Sequence, residues 1–149
     1  MFSKEIEESL AIIQDSDDDL AYSETKKIIE ESKTSDKYYE YIDKLSILLD
    51  HKKSYIRTRA FMIICAQSRW DKDNKIKSLL PQLLKFYHDE KPTVVRQSLN
   101  ASKEILLYLP VLSKSIKKEL DSIDLSAYKD SMAPLIEKDI EELKKSLNH

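Results

Sequence analysis

The sequence predicts an all-α fold, an α–α superhelix of about four helical hairpins, and three observations carry that expectation. Apolar residues recur at spacings of three and four from one end of the 149-residue chain to the other. No stretch alternates with a period of two between turn residues, so strands are not expected. Glycine is absent, and short polar runs separate the periodic segments.

Eight helices are expected. The first, near 3–14, carries Ile6, Leu10 and Ile13 on one side. The second, near 18–33, follows Asp17, Asp18 and Asp19, acids that suit a helix N-terminus. The third, near 36–50, holds Ile42, Leu45, Leu48 and Leu49. The fourth, near 54–69, contains the longest apolar run, the seven residues from Ala60 to Ala66. That run is far short of the ~20 residues needed to span a bilayer. Leu79, Leu80, Leu83, Leu84 and Tyr87 mark the fifth, near 74–88, and the sixth and seventh lie near 92–109 and 111–122. The eighth, near 130–148, gathers Leu135, Ile136, Ile140, Leu143 and Leu147 on one side. Glu137, Lys138, Glu141, Glu142, Lys144 and Lys145 take the other, as a terminal cap requires.

An internal repeat turns these helices into hairpins. Shifted by 39 residues, Asp50-His51-Lys52-Lys53-Ser54-Tyr55-Ile56-Arg57 falls on Asp89-Glu90-Lys91-Pro92-Thr93-Val94-Val95-Arg96. In this register Asp closes the first helix, Lys53 or Pro92 makes the turn, and Ser54 or Thr93 caps the second helix. A weaker copy lies 35 residues upstream, at Asp15 to Leu20. The chain thus divides into approximate repeats 1–35, 36–73, 74–110 and 111–149 of one domain.

Composition excludes several function classes. Phosphate-cradling loops, dinucleotide fingerprints and nucleophile elbows need glycine for positive φ or close backbone approach. A single cysteine, Cys65, leaves no internal disulfide and no Cys-rich zinc site. The formal net charge of −2 gives no global pull toward nucleic acid or an anionic membrane. The segment beginning Met1-Phe2-Ser3-Lys4 lacks the basic and apolar regions of a secretory signal, so a cytoplasmic protein is expected.

Leu79-Leu80-Pro81-Gln82-Leu83-Leu84, followed by Asp89, Pro92 and Val95-Arg96, closely resembles the HEAT-repeat pattern, including the proline that kinks the first helix. The whole chain resembles short bacterial HEAT-like proteins of the armadillo-like superfamily. Ser54-Tyr55-Ile56-Arg57-Thr58-Arg59, Ala66-Gln67-Ser68-Arg69-Trp70-Asp71 and Tyr128-Lys129-Asp130-Ser131-Met132-Ala133-Pro134-Leu135-Ile136 carry that resemblance. Proteins of this kind are sometimes labelled as relatives of a Suf-type iron–sulfur assembly scaffold. Those scaffolds are β-helical, and one cysteine with three scattered histidines cannot build a Cys₄-type cluster site. The resemblance implies fold and carries over no catalytic residue.

Candidate sites were weighed against plainer roles. Asp15 to Asp19 begins like a calcium loop, but the sixth and twelfth positions hold Leu20 and Lys26, where an EF-hand needs glycine and glutamate. His51, His88 and His149 show no i, i+4 pair, and no metal or cofactor is expected. Cys65, amid Ile63, Ile64 and Ala66, reads as a packing residue. The chain has four arginines, and Arg57 and Arg96 match in the repeat. With Asp50 and Asp89 they form an expected Asp–Arg ladder between repeats. Arg59, Arg69 and Trp70 have no such equivalents and are candidates for partner contact, with Trp70 equally able to cap the core.

The expected function is a non-enzymatic protein-interaction module or adaptor, binding a peptide or protein on the concave face of the second helices. Counting from Ser54 and Thr93, that face holds Thr58, Phe61, Cys65 and Arg69 in the second repeat and Gln97, Asn100, Glu104 and Tyr108 in the third. Ser23, Lys26, Glu30 and Thr34 are the first-repeat equivalents. Mixed polarity with aromatic anchors suits a peptide better than a phosphate backbone. In the alternative geometry Phe61 turns into the core and the face is merely solvated. The alternative function is a HEAT-type nucleic-acid-binding protein or DNA glycosylase relative, with a tetrapyrrole-lyase relative further off. A monomer, with no membrane partner, is the expected state.

Overall fold

The second helix of each of the first three hairpins begins in the same way. Asp15 Oδ1 accepts the N–H of Asp17 at 2.8 Å, His51 Nδ1 that of Lys53 at 3.0 Å, and Asp89 Oδ1 that of Lys91 at 2.9 Å. Such a side-chain acceptor two residues before an N–H mimics a backbone turn. A helix starts one residue later each time, at Asp18, Ser54 and Pro92. Asp17 caps the first of them by accepting the N–H of Leu20 at 3.2 Å. Ser54 and Thr93 are not the caps that the sequence implied. Lys53 and Lys91 hold the extended cap position, and the helices open on Ser54 and Pro92 themselves. Proline suits that first position because its missing N–H would lack a helical partner anyway.

The computed structural model describes residues 3–147, so Met1, Phe2 and the histidine at His149 lie outside the described residues. The helices are α1 (Lys4–Ile12), α2 (Asp18–Glu31), α3 (Ile42–Leu48), α4 (Ser54–Ala66), α5 (Lys75–Leu84), α6 (Pro92–Ala101), α7 (Lys103–Tyr108), α8 (Ser113–Asp121) and α9 (Ala133–Ser146). α7 runs on from α6 across Ser102, and short 3₁₀ turns extend α3, α4, α5 and α8. Eight helical segments therefore stand where the periodicity placed them, and no strand occurs among the described residues. Among the described residues of this glycine-free chain the one positive φ, 57° at the start of α5, falls on Asn74. Asparagine tolerates that region better than most residues.

The second helices pack on each other in chain order: α2 on α4, α4 on α6 and α6 on α9. Polar contacts give their direction. Lys91 Nζ reaches Ser54 Oγ at the starts of α6 and α4 (3.0 Å), and Arg69 meets Glu104 beyond their far ends (3.8 Å). The two helices therefore run the same way. Arg59–Asp18 and Gln67–Ser32 fix α4 against α2 in the same sense. The first helices are linked likewise, by Glu7–Lys44, Asp43–Lys75 and His88–Glu119 at 2.7, 3.3 and 2.6 Å. One contiguous core runs from Ile6 to Leu143, with Tyr41, Phe61 and Tyr87 the bulkiest fully buried side chains. Nine of the thirteen residues of α4 are buried, because α2, α3 and α6 all pack on it.

Candidate functional site

The outward face of the second helices follows from the turns. His51 stands 36 residues after Asp15, and Asp89 stands 38 after His51. The sequence match used spacings of 35 and 39, so the second repeat is slipped by one residue in it. Asp50 shares its identity with Asp89, but His51 shares its role. In the structural register Tyr55, Arg59 and Met62 correspond to Thr93, Gln97 and Asn100. Phe61 corresponds to Leu99, and both are buried.

Several expectations change with that register. Phe61 is wholly buried, its ring 4.7 Å from that of Phe86, and does not line a groove. Thr58 is almost fully buried and donates to the Ser54 carbonyl at 2.8 Å, yet it still lines the groove that crosses α2, α4 and α6. Cys65 is buried, and burial pushes its thiol far above the ordinary range, which makes it a packing residue and a poor nucleophile. Farther along, Gln97, Asn100 and Tyr108 are exposed and Glu104 is half-buried; of these, Gln97 and Asn100 line a groove. Ser23, Lys26, Glu30 and Thr34 are exposed too. The slip is confined to α4.

The Asp–Arg ladder forms in part. Arg57 meets Asp89 at 3.0 Å and also donates to the carbonyls of His51 and Lys52. Arg96 approaches neither Asp50 nor Asp89. It makes two bonds to Asp139 of α9, at 2.7 and 3.4 Å, and this partner raises its pKa further. Asp50 is exposed.

Arg59, Arg69 and Trp70 fasten α4 and the turn after it to α1, α2 and the segment that follows α2. A helix C-terminus leaves four carbonyls without helical donors. Arg59 takes those of Ile13 and Asp15 behind α1, at 2.9 and 3.4 Å, and the carboxylate of Asp18 at 2.7 Å. Arg69 takes the Lys33 carbonyl at 2.6 Å and lies 4.6 Å from the Tyr108 ring centroid. Trp70 Nε1 donates to the Ser32 carbonyl at 2.8 Å. Each of the four arginines thus ties its own helix or turn to another helical segment.

What remains on the outward face is a pair of grooves. One, of about 290 Å³, crosses α2, α4 and α6 and is lined by Asp18, Asp19, Tyr22, Tyr55, Met62 and Gln97 beside Thr58 and Arg59. The other, of about 370 Å³, lies between α6 and α9, lined by Thr93, Arg96, Gln97, Asn100, Met132 and Asp139. Gln97 lines both. Tyr22 and Tyr55 are exposed, and the sequence reading missed them, with Met62 and Met132. Counting from Asp15, His51 and Asp89 as turn acceptors would have brought Tyr55 and Met62 to this face.

The two described histidines have structural partners: His51 holds its turn, and His88 pairs with Glu119 at 2.6 Å. Among the described residues no group of three or more His, Cys, Asp or Glu is placed to hold a metal ion, and no helix is long and apolar enough to cross a membrane. Compared with family models, curated proteins and solved structures, the chain finds no match in any of the three.

Proposed function

We propose that the chain is a HEAT-like α–α solenoid that acts without catalysis, as a monomeric cytoplasmic adaptor holding a peptide or protein segment along its second helices. The observation that carries this reading is the meeting of the two grooves at Gln97, which makes one continuous face from α2 to α9. Second helices packed in chain order and in one direction support the solenoid. With helices 8–10 Å apart, four of them span about 30 Å, the reach of roughly nine extended residues. Exposed Tyr22 and Tyr55, with Met62 between the aromatic and amide positions, are the side-chain types that anchor partner segments. Arg59 and Arg96, the cations that line the two grooves, are each held by a carboxylate, which leaves exposed Lys26 beside Tyr22, whereas a phosphate-binding groove needs several free cations.

The test is Gln97→Trp, which fills the junction of the grooves from an exposed position and leaves the core untouched. Partners identified by mass spectrometry after capture on the wild-type protein should be lost on the variant. Equal capture by both would move the site off this face. Tight binding of a short DNA duplex that weakens steeply with salt would replace the peptide reading with the nucleic-acid one.

A further inference from the structure

We infer that the α2 end of this face seats a cationic side chain, an arginine or lysine at one end of the bound segment; the inference rests on the reading of the face as a peptide groove. The two ends of the face differ in charge. At the α9 end Arg96 and Asp139 balance each other. At the α2 end the lining carboxylates are Asp18 and Asp19, and the one lining cation is Arg59. Arg59 is already consumed: its side chain is 7% exposed, and its two terminal nitrogens hold Ile13 O, Asp15 O and Asp18 Oδ1. Asp19 stays exposed at the rim, and the exposed Asp15 and Asp17 lie just beyond it, so at this end four aspartates outnumber Arg59, Lys26 and Lys53.

Aromatic rings supply the second element. Tyr22 and Tyr55 line the same groove, 41% and 37% exposed. Each already attracts cations of this chain: Lys26 Nζ lies 5.3 Å from the Tyr22 centroid, and the Arg59 guanidinium and Lys53 Nζ lie 5.0 and 5.9 Å from that of Tyr55. A partner's cation that displaces the exposed Lys26 or Lys53 meets the same ring quadrupole, and adjacent carboxylates add to it. Neutral Thr93, Gln97 and Asn100 continue the face and suit uncharged residues further along the segment.

The experiment pans a random dodecapeptide library displayed on phage against the intact protein at low salt, with counter-selection on Gln97→Trp. Peptides retained by the wild type alone should carry Lys or Arg toward one end. A synthetic copy of one should lose about tenfold in affinity on Asp19→Lys, through like-charge repulsion, and less on Asp19→Asn. Thermal melts of both variants check that they are folded, and Asp19→Asn keeps the test open should the lysine disturb α2. Retained peptides that are neutral or acidic, or affinity indifferent to both Asp19 variants, would overturn the inference and leave the peptide groove standing. Peptides that fail to tell wild type from Gln97→Trp would overturn the groove as well.

Discussion

Arg59→Ala is the perturbation whose consequence the structure defines most closely. The guanidinium is nearly buried and spans α1, α2 and α4 through Ile13 O at 2.9 Å, Asp15 O at 3.4 Å and Asp18 Oδ1 at 2.7 Å. Ile13 is fully buried, so truncation leaves its carbonyl without a donor and without water. Hydrogen bonds from a charged group contribute about 1.5–3 kcal/mol each, and they are not additive. The long 3.4 Å contact and the largely exposed Asp18 carboxylate contribute little. A loss of about 3 kcal/mol results, equivalent to about 6–12 °C in melting temperature for a domain of this size. Urea unfolding, followed by circular dichroism and by the fluorescence of Trp70, reads the effect. The midpoint should fall with an unchanged slope, and the two probes should coincide. Arg59→Lys should recover only part of the loss, because an ammonium cannot reproduce the planar fork. Exposed Lys114→Ala should stay within about 0.5 kcal/mol of wild type. If Arg59→Ala behaved like Lys114→Ala, the account of arginines as fasteners between helical segments would be wrong.

Phe61→Ala should cost about 3–5 kcal/mol, the usual result of emptying a buried aromatic site, with Met62→Ala clearly milder; equal urea midpoints would contradict the assignment of Phe61 to the core. Arg96→Ala should cost about 1 kcal/mol, since its ion pair is part-exposed. A double-mutant cycle with Asp139→Asn should show coupling, and an additive cycle would deny the pair. Trp70→Phe keeps the ring and removes the bond to Ser32 O, for a loss of about 1 kcal/mol in the same unfolding assay; no loss would mean that this bond is idle. The hydrogen bond from Lys37 holds the Glu31 carboxyl below its ordinary value. A depressed folded-state pKa stabilises above the unfolded value and ceases to do so as pH falls through the folded one. The urea midpoint should therefore fall on acidification below about pH 4, and less steeply in Glu31→Gln. Identical slopes would exclude Glu31 as a contributor.

Local physics made the helices legible. Period, turn chemistry and end-charge preferences act within a few residues, so eight helical segments and the polar breaks between them could be read from the sequence, but not the division of one of them into α6 and α7 at Ser102. The charged outer side of α9 belongs to the same class. Other features depend on contacts about 30–45 residues apart. Arg96 could have met any of several carboxylates, and the approach of α9 to α6 gives it Asp139. Identity aligned Asp50 with Asp89, yet the turn before α4 takes its acceptor from His51. A slip of one residue rotates a helix by about 100°, which moves Phe61 from the expected groove into the core and brings Tyr55 and Met62 outward. The period of α4 could not reveal the error, because α2, α3 and α6 cover it on three sides and leave apolar residues nearly all round. Its outward edge is defined by its neighbours, and only their packing decides it.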